Sequence, residues 1–337
     1  MKNIKPLFSI LCFFLLFTLP SCIKEDEFDN TPEGNFEALW KIIDEQYCFL
    51  DYKNIDWNDI HTQYKKRITR GMNNYALFEV LRDMLAELKD GHVNLYTPFD
   101  VARYWKWFED YPANFSDSIQ RNYLGTDYKI ASGLKYKILD DNIGYIYYGD
   151  FSSGIGEGNL DEVLINLAIC DGIIIDVRNN GGGTITNSSK LASRFTNEKV
   201  LTGYIQHKTG PGHSDFSSPL AIYLEPSDRV RWQKKVAVLT NRHAFSATND
   251  FVNNMRSIES GRITIIGDKT GGGSGLPFSS ELPNGWSVRF SASPHLDKNM
   301  KQIEFGINPD IKQDMTPEDF VKNKDSIIER ARQILKN

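Results

Sequence analysis

The sequence is poor in cysteine, with four in 337 residues, and this scarcity limits the kinds of protein it can encode. Four cysteines are too few for a disulfide framework, and none is spaced with histidine in a way that predicts a structural zinc site. A basic cluster is also missing and the formal net charge is −5, so composition argues against a nucleic-acid partner. The sequence has no internal repeat and no low-complexity segment. These absences leave an ordinary globular protein, long enough for one large domain or two modest ones.

The one long apolar run lies at the N-terminus, where two lysines precede residues 6–20. A basic start, an apolar stretch and a following small residue are typical of a signal peptide, and the run is too short for an ordinary membrane-spanning helix. Leu19-Pro20-Ser21-Cys22 resembles a bacterial lipobox, which implies cleavage before Cys22 and lipid attachment to its thiol. A plain secretory signal with a chance cysteine is the alternative. We therefore predict a lipoprotein signal peptide at 1–21 and a tether at 22–30.

The predicted signal places the protein in the bacterial cell envelope. We expect a lipoprotein of the outer membrane, periplasmic or surface-exposed, with the lipid as its contact with the membrane. Two of the four cysteines belong to the N-terminal segment, so only Cys48 and Cys170 remain. Each lies in an apolar setting typical of a small core residue, and a disulfide between them is left open.

Residues 31–89 are predicted to form an N-terminal helical domain. Thr31-Pro32-Glu33 is typical of a helix start, with a capping hydroxyl, an early proline and an early acid. Apolar residues then recur at helical spacing in three stretches. Residues 90–134 are predicted to connect this domain to the rest of the chain. Within them, residues 98–134 show little periodicity, and we interpret them as a surface segment that covers the sheet.

From residue 135 to residue 337 the pattern changes to strands that alternate with helices. The predicted strands are Lys135–Leu139, Gly144–Tyr148, Ile173–Val177, Val200–His207, Val236–Thr240, Thr264–Ile266 and Ser287–Ser291, and the predicted helices are Asn159–Cys170, Thr186–Phe195 and Ala247–Ile258. Strands separated by helices of this length imply right-handed crossovers in a mostly parallel sheet. The predicted fold class is therefore α/β, with the core domain at 135–337.

A glycine-rich turn ends the strand Ile173–Val177. The strand runs into a polar turn and then into Gly181, Gly182 and Gly183. Glycine allows a positive φ and lets a ligand approach bare N–H groups, so such a turn is suited to an anion or a developing oxyanion. A tight strand-to-helix turn without chemistry is the alternative interpretation.

Ser246 lies between a buried strand and an apolar helix that begins at Ala247. A serine at such a junction presents its hydroxyl at the helix N-terminus, where the helix dipole favours negative charge and the next N–H is free to donate. This is the geometry of a nucleophile elbow. An ordinary helix N-cap is the alternative.

A serine nucleophile needs a base, and the sequence offers six histidines. His92 follows Gly91 at the break between a helix and a strand, where a side chain can point across a domain boundary. His243 is close to Ser246 in sequence, but the turn between them would have to fold back sharply. The sequence therefore favours His92 as the base.

Five motifs occur in the order seen in the C-terminal processing and tricorn-core serine peptidases, and together they span about residues 90–312. They are Asp90–Leu95, Asp176–Gly183, Asn241–Ala247, Gly267–Gly273 and Gly306–Asp310. The resemblance implies a crotonase/Clp-like core sheet, acyl-transfer chemistry on peptides, and no metal or organic cofactor.

The base distinguishes two branches of that family. The processing branch uses a serine–lysine dyad, and the position that matches its lysine is Gly273 here. The tricorn branch uses histidine and glutamate, which match His92 and, as the nearest acid, Glu304. That branch has a serine where this chain has Gly91. Many members also insert a PDZ domain, for which residues 96–134 are too short. The resemblance thus implies the histidine-dependent branch, with Glu304 orienting the imidazole; a solvated charge at a strand end is the alternative for this glutamate.

The resemblance implies a mechanism in which Ser246 attacks a peptide carbonyl and His92 takes its proton. Backbone N–H groups of Gly181 or Gly182 and of Ala247 would form the oxyanion hole. We expect a secreted, lipid-anchored serine endopeptidase that acts on peptides or unfolded proteins. A non-catalytic binding module on the same scaffold, holding an apolar ligand or a peptide, and an esterase are the alternatives.

Overall fold

The computed structural model describes residues 28–336, and the predicted signal peptide with Cys22 lies outside them. The helices are α1 (Pro32–Gln46), α2 (Trp57–Lys65), α3 (Asn74–Ala86), α4 (Asp117–Leu124), α5 (Glu157–Asn166), α6 (Ile185–Ala192), α7 (Ala247–Ser257), α8 (Pro317–Val321) and α9 (Ser326–Lys336). The strands are β1 (Asn94–Tyr96), β2 (Val101–Arg103), β3 (Lys129–Ala131), β4 (Leu134–Ile138), β5 (Ile143–Tyr148), β6 (Gly172–Asp176), β7 (Val200–Ile205), β8 (Leu220–Leu224), β9 (Lys235–Thr240), β10 (Ile263–Gly267), β11 (Leu276–Glu281), β12 (Ser287–Ser293), β13 (His295–Asp297) and β14 (Ile311–Lys312). Between residues 28 and 336, every helix is too short or too polar to cross a membrane.

The helices α1, α2 and α3 form where the sequence predicts them, and each begins at a side-chain cap. The Thr31 hydroxyl accepts the amide of Gly34 at 3.0 Å, and Asp56 and Asn73 cap the other two helices in the same way. The apolar faces of these helices share one hydrophobic cluster with side chains of β12. The helical part of the chain therefore packs against a sheet.

A seven-stranded sheet forms the core, in the order β14-β10-β9-β6-β5-β4-β3. The strands from β14 to β5 are parallel, and β4 and β3 are antiparallel. β6 is buried along its whole length, which suits its run of isoleucines because β-branched side chains pack well on a pleated surface. The predicted α/β class, with a mostly parallel sheet and crossover helices, is confirmed.

The two central strands of this sheet bring the predicted site segments together. β6 and β9 are parallel neighbours, so their carboxyl ends lie at the same edge. The glycine-rich turn follows β6, and the turn that ends at Ser246 follows β9. Segments about 65 residues apart in sequence thus meet at one edge of the sheet.

A second, four-stranded antiparallel sheet in the order β11-β12-β1-β2 positions the predicted base. β1 begins two residues after His92, and Asn94 pairs with Arg289 of β12. Because β1 is pinned on both sides, the chain immediately before it has a fixed position relative to β12.

The segment at residues 98–134, which we interpret as a surface cover with little periodicity, contains short regular elements that its sequence did not indicate. β2 and α4 lie within it, and β3 pairs with β4 at the edge of the core sheet. Strands of three residues are too short to show a period of two, which explains why the sequence pattern missed them. Residues 104–116 are the longest stretch of this segment without a helix or strand.

Candidate active site

Ser246 and His92 form a hydrogen-bonded pair. The Oγ atom of Ser246 lies 2.9 Å from Nε2 of His92, although the two residues are 154 positions apart. His92 is buried, whereas Ser246 is half-buried and reaches a cavity. The ring of the other candidate base, His243, packs against Phe108 at a centroid distance of 4.1 Å, tilted by 36°. The structure therefore pairs Ser246 with His92, as the sequence favours.

The backbone of Ser246 is strained. It has φ 58° and ψ −121°, a region that non-glycine residues rarely occupy, at a typical cost of about 1–3 kcal/mol. Its N–H donates to the carbonyl of Gly272 at 2.8 Å, which holds the turn in place. Its hydroxyl makes no capping bond to α7. The structure thus differs from the N-cap interpretation: the hydroxyl points to His92 instead.

His92 is suited to accept a proton. Burial lowers the pKa of His92 to about 4, with Arg289 and Lys53 acting in the same direction and Asp90 opposing them. The ring is therefore neutral near pH 7. Its Nδ1 atom is buried and has no hydrogen-bond partner among residues 28–336. The nearby backbone of Gly275 raises the pKa of the ring, against the larger effect of burial.

Asp90 holds the backbone of His92, a role that the sequence did not reveal. Its Oδ1 accepts the N–H of His92 at 2.8 Å, and its Oδ2 accepts the hydroxyls of Tyr47 at 2.8 Å and Ser291 at 3.1 Å. Burial raises the pKa of Asp90, but the Lys53 ammonium and the hydrogen bonds lower it by a larger amount. The pKa is therefore below its ordinary value, and the carboxylate stays charged. An acid two residues before the candidate base was the signal available in the sequence.

Glu304 does not lie where its expected role requires. Its Oε1 is 3.1 Å from Nζ of Lys53, and its Oε2 accepts the N–H of Ser274 at 2.8 Å. Within the described chain, no hydrogen bond joins Glu304 to His92. Burial raises the pKa of Glu304 to about 7, with Asp90 adding to the rise and Lys53 opposing it.

The glycine turn lies against the elbow. A Cβ atom on Gly182, whose φ is +101°, would come within 2.7 Å of the Cβ of Ser246. The N–H of Gly182 donates to Oδ1 of Asn180 at 3.0 Å. In the part of the chain that the structure describes, the N–H groups of Gly181 and Ala247 have no partner. These two amides are thus free to bind an oxyanion, whereas that of Gly182 is engaged.

An aromatic stack covers the other side of the pair. Trp107 stacks on Phe245 at 4.5 Å, and Phe245 lies 4.9 Å from the His92 ring. A Cβ atom on Gly91 would lie 2.8 Å from Nε1 of Trp107. The aromatic cover therefore occupies the space that a serine at position 91 would need.

A cavity of about 220 Å³ opens beside Ser246 and His92. Its walls are mainly apolar and include Ile185, Ile205, Ile222, Leu276 and Ile303. Among the described residues, no cluster of three histidine, cysteine, aspartate or glutamate side chains could hold a metal ion. Cys48 and Cys170 are both buried and free, so the structure has no disulfide between them.

Comparison with known proteins gives two matches along the sequence. Residues 142–313, about half of the chain, match the profile of peptidase family S41, and residues 28–86 match that of the tricorn protease C1 domain. The tricorn protease of Thermoplasma acidophilum is 27% identical over 195 residues. That match covers 56% of this chain but only 16% of the archaeal protein. The chain thus spans a small part of that relative.

Solved structures extend the likeness to nearly the whole chain. The crystal structure of a candidate peptidase from Parabacteroides merdae has a TM-score of 0.87 and 58% sequence identity, covering 91% of this chain and 97% of that one. Mature CPAF in complex with lactacystin has a TM-score of 0.67 at 12% identity, covering 90% of this chain and 97% of that one. At such low identity the second likeness shows a shared fold alone.

Proposed function

The chain belongs to peptidase family S41 and is a serine-type peptidase, and we propose that it is an exported, lipid-anchored endopeptidase that cleaves peptides or unfolded proteins. The observation that carries this proposal is the 2.9 Å contact between Ser246 and His92 at the mouth of an apolar cavity. A nucleophile and a base within hydrogen-bond reach are the minimum that acyl transfer requires.

In the proposed reaction, Ser246 Oγ attacks the peptide carbonyl while Nε2 of His92 takes its proton. The carbonyl oxygen becomes an oxyanion, which the N–H groups of Gly181 and Ala247 would stabilise. His92 then gives the proton to the leaving amine as the C–N bond breaks. In the second step, His92 takes a proton from water as the water attacks the acyl-enzyme, and returns a proton to Ser246 Oγ as the ester bond breaks. The neutral state of His92 near pH 7 supports its role as the base, since a protonated ring could not accept the proton.

The sequence does not decide whether Gly181 or Gly182 donates its N–H to the oxyanion. We assign it to Gly181 because the Gly182 amide already donates to Asn180. Each such donor typically contributes about 10²–10³ in rate. Gly182 then has a different role, which is to let the glycine turn approach Ser246 closely.

The cavity supports a preference for an apolar substrate side chain next to the cleaved bond. Its volume of about 220 Å³ lies below the ~300–1,000 Å³ of ordinary small-molecule sites. The space suits one side chain of an extended peptide better than a whole ligand. This size, together with the paired Ser246 and His92, favours the peptidase over a binding module for an apolar ligand.

The lipid anchor at Cys22 and the place of the protein at the outer membrane are also proposals, and they rest on the lipobox-like sequence. Incorporation of labelled palmitate into the full chain tests the anchor. The Cys22→Ser variant should lose the label, while the Cys12→Ser variant should keep it. Equal labelling of both variants would contradict an anchor at this position.

Cleavage of a peptide library by the chain from residue 23 onward tests the peptidase proposal. We expect cleavage after or before apolar residues by the wild type and none by Ser246→Ala. The matched control is Ser118→Ala on α4, which does not line the cavity and should retain full activity. Cleavage that survives in Ser246→Ala would show that another group performs the reaction.

A further inference from the structure

Lys53 is a buried lysine behind the candidate catalytic pair. It lies after α1, in the helical part of the chain, and its side chain is only 5% exposed. Its Nζ atom is 3.1 Å from Oε1 of Glu304 and 3.4 Å from Oδ2 of Asp90. A buried ammonium is costly unless it is paired, so its contact with two carboxylates calls for an explanation.

Each of the two carboxylates fixes a backbone segment beside His92. Asp90 accepts the N–H of His92 itself at 2.8 Å. Glu304 accepts the N–H of Ser274 at 2.8 Å, and the next residue, Gly275, lines the cavity together with His92. Lys53 therefore links the carboxylate that holds His92 to the carboxylate that holds the neighbouring segment.

The charges of this cluster match the proposed reaction. One ammonium between two carboxylates leaves one net negative charge behind a neutral imidazole. When His92 takes the proton of Ser246, the resulting cation balances that charge. If Lys53 were absent, two buried carboxylates would repel each other, and Glu304 would take up a proton instead.

We propose that Lys53 is a positioning residue for the Ser246–His92 reaction: it keeps Glu304 ionised and bound to the Ser274 amide, so that the cluster stabilises the protonated imidazole. This inference rests on the proposed function. Lys53 acts through Glu304 and Asp90, and it does not touch the reacting atoms.

The ionisation of Glu304 sets the expected pH dependence. Its pKa is about 7 because burial and Asp90 raise it more than Lys53 and the Ser274 amide lower it. The pKa of His92, by contrast, is about 4. The groups that face Glu304 are Lys53, Asp90, Tyr47, Cys48, Tyr52 and Arg242. The acid limb of kcat/KM should therefore follow Glu304, near pH 7, rather than His92.

The test is the pH profile of kcat/KM for a cleaved peptide. Lys53→Met should move the acid limb upward by ~1–3 pH units, since an adjacent cation lowers the pKa of a carboxylic acid by about that much. Lys53→Arg should restore the wild-type limb. Glu304→Gln, alone or combined with Lys53→Met, should remove the limb near pH 7 and leave that of His92 at lower pH. The double variant removes the Lys53 and Glu304 charges together and leaves the Asp90 carboxylate with its hydrogen bonds to His92, Tyr47 and Ser291, so it provides a second measurement if Lys53→Met folds poorly.

A uniform loss of rate in Lys53→Met, with the limb unmoved, would overturn the inference and leave Lys53 a purely structural residue. A second readout does not depend on catalysis. In protein with ¹³C-labelled glutamate carried on Ser246→Ala, the Glu304 carboxyl should titrate near pH 7 and shift upward in Lys53→Met. A wild type without any cleavage would refute the proposed function, whereas an unshifted carboxyl titration would refute the role of Lys53.

Discussion

Gly182 and Gly181 offer a matched pair of substitutions that tests the geometry of the elbow. A Cβ atom on Gly182 would lie 2.7 Å from the carbonyl oxygen of Phe245, 2.7 Å from the Cβ of Ser246 and 3.0 Å from the amide of Ala247. These neighbours belong to the elbow backbone and to its first side-chain atom, so they have little freedom to yield. A Cβ atom on Gly181 would meet nothing within 4 Å.

The expected cost of Gly182→Ala has two parts. Its φ of +101° is unfavourable for alanine, and the comparable left-handed conformation costs ~1–2 kcal/mol. Non-bonded carbon atoms prefer a separation of about 3.5–4.0 Å, so the new methyl group must displace Ser246 by roughly 1 Å. A displacement of about 1 Å in a reacting group can lower the rate ~10²-fold. We therefore expect about a hundredfold loss for Gly182→Ala and little change for Gly181→Ala, which keeps its N–H.

The assay is the second-order rate of Ser246 modification by a fluorophosphonate, since this reaction uses the nucleophile, the base and the oxyanion site. Thermal unfolding of both variants separates a displaced serine from an unfolded protein. If Gly182→Ala reacts as fast as the wild type, or if Gly181→Ala is equally slow, the reasoning about the close approach is refuted.

Three further predictions concern the surroundings of the site. Asp325→Ala should lower the free energy of unfolding by about 1–3 kcal/mol in a denaturant titration, because it removes the acceptor of the Ile327 and Ile328 amides and one of the two buried carboxylate partners of Arg178, while Asp176 stays paired; an unchanged midpoint would contradict this. Trp107→Ala should slow peptide cleavage more than it lowers stability, since the indole stacks on Phe245 next to the nucleophile; equal activity would show that the aromatic cover is dispensable. Cys48 and Cys170 should react with a thiol reagent only after unfolding, because both are buried; rapid labelling of the native protein would show that this part of the core opens.

Most strands of the core sheet could be predicted because they are long enough to appear in the sequence as apolar, β-branched runs. Five of the seven predicted strands belong to the seven-stranded sheet, whereas Val200–His207 and Ser287–Ser291 correspond to β7 and β12, which lie in two smaller antiparallel sheets. The neighbouring positions of β6 and β9 are therefore a finding of the structure. The elbow at Ser246 and the base at His92 were also predicted as candidates. Local sequence signals mark both of them: a strand–turn–helix junction in one case and a helix–strand break in the other.

The strands β2 and β3 and the helix α9 were not predicted from the sequence. The three-residue strands β2 and β3 gain their stability from neighbouring strands, so their own sequence carries little signal. In α9, by contrast, Ile327, Ile328, Ala331 and Leu335 recur at helical spacing and are buried against the core, so the pattern was available in the sequence.

The contact between Lys53 and Glu304 could not have been predicted from one sequence. The residues are 251 positions apart, and no sequence motif links one position to the other. A glutamate near the last glycine motif suggested a direct partner for the imidazole. The structure instead engages its carboxylate with a lysine of the helical part, and only the folded geometry reveals that pairing.

The central claim is that Ser246 is a nucleophile activated by His92. Mass spectrometry of the intact protein after treatment with a fluorophosphonate tests it most directly, with the modified residue located by peptide mapping. We expect one adduct on Ser246 in the wild type and in His243→Ala, and none in Ser246→Ala or His92→Ala. An adduct that forms on another residue, or that forms on Ser246 at the same rate without His92, would contradict the account.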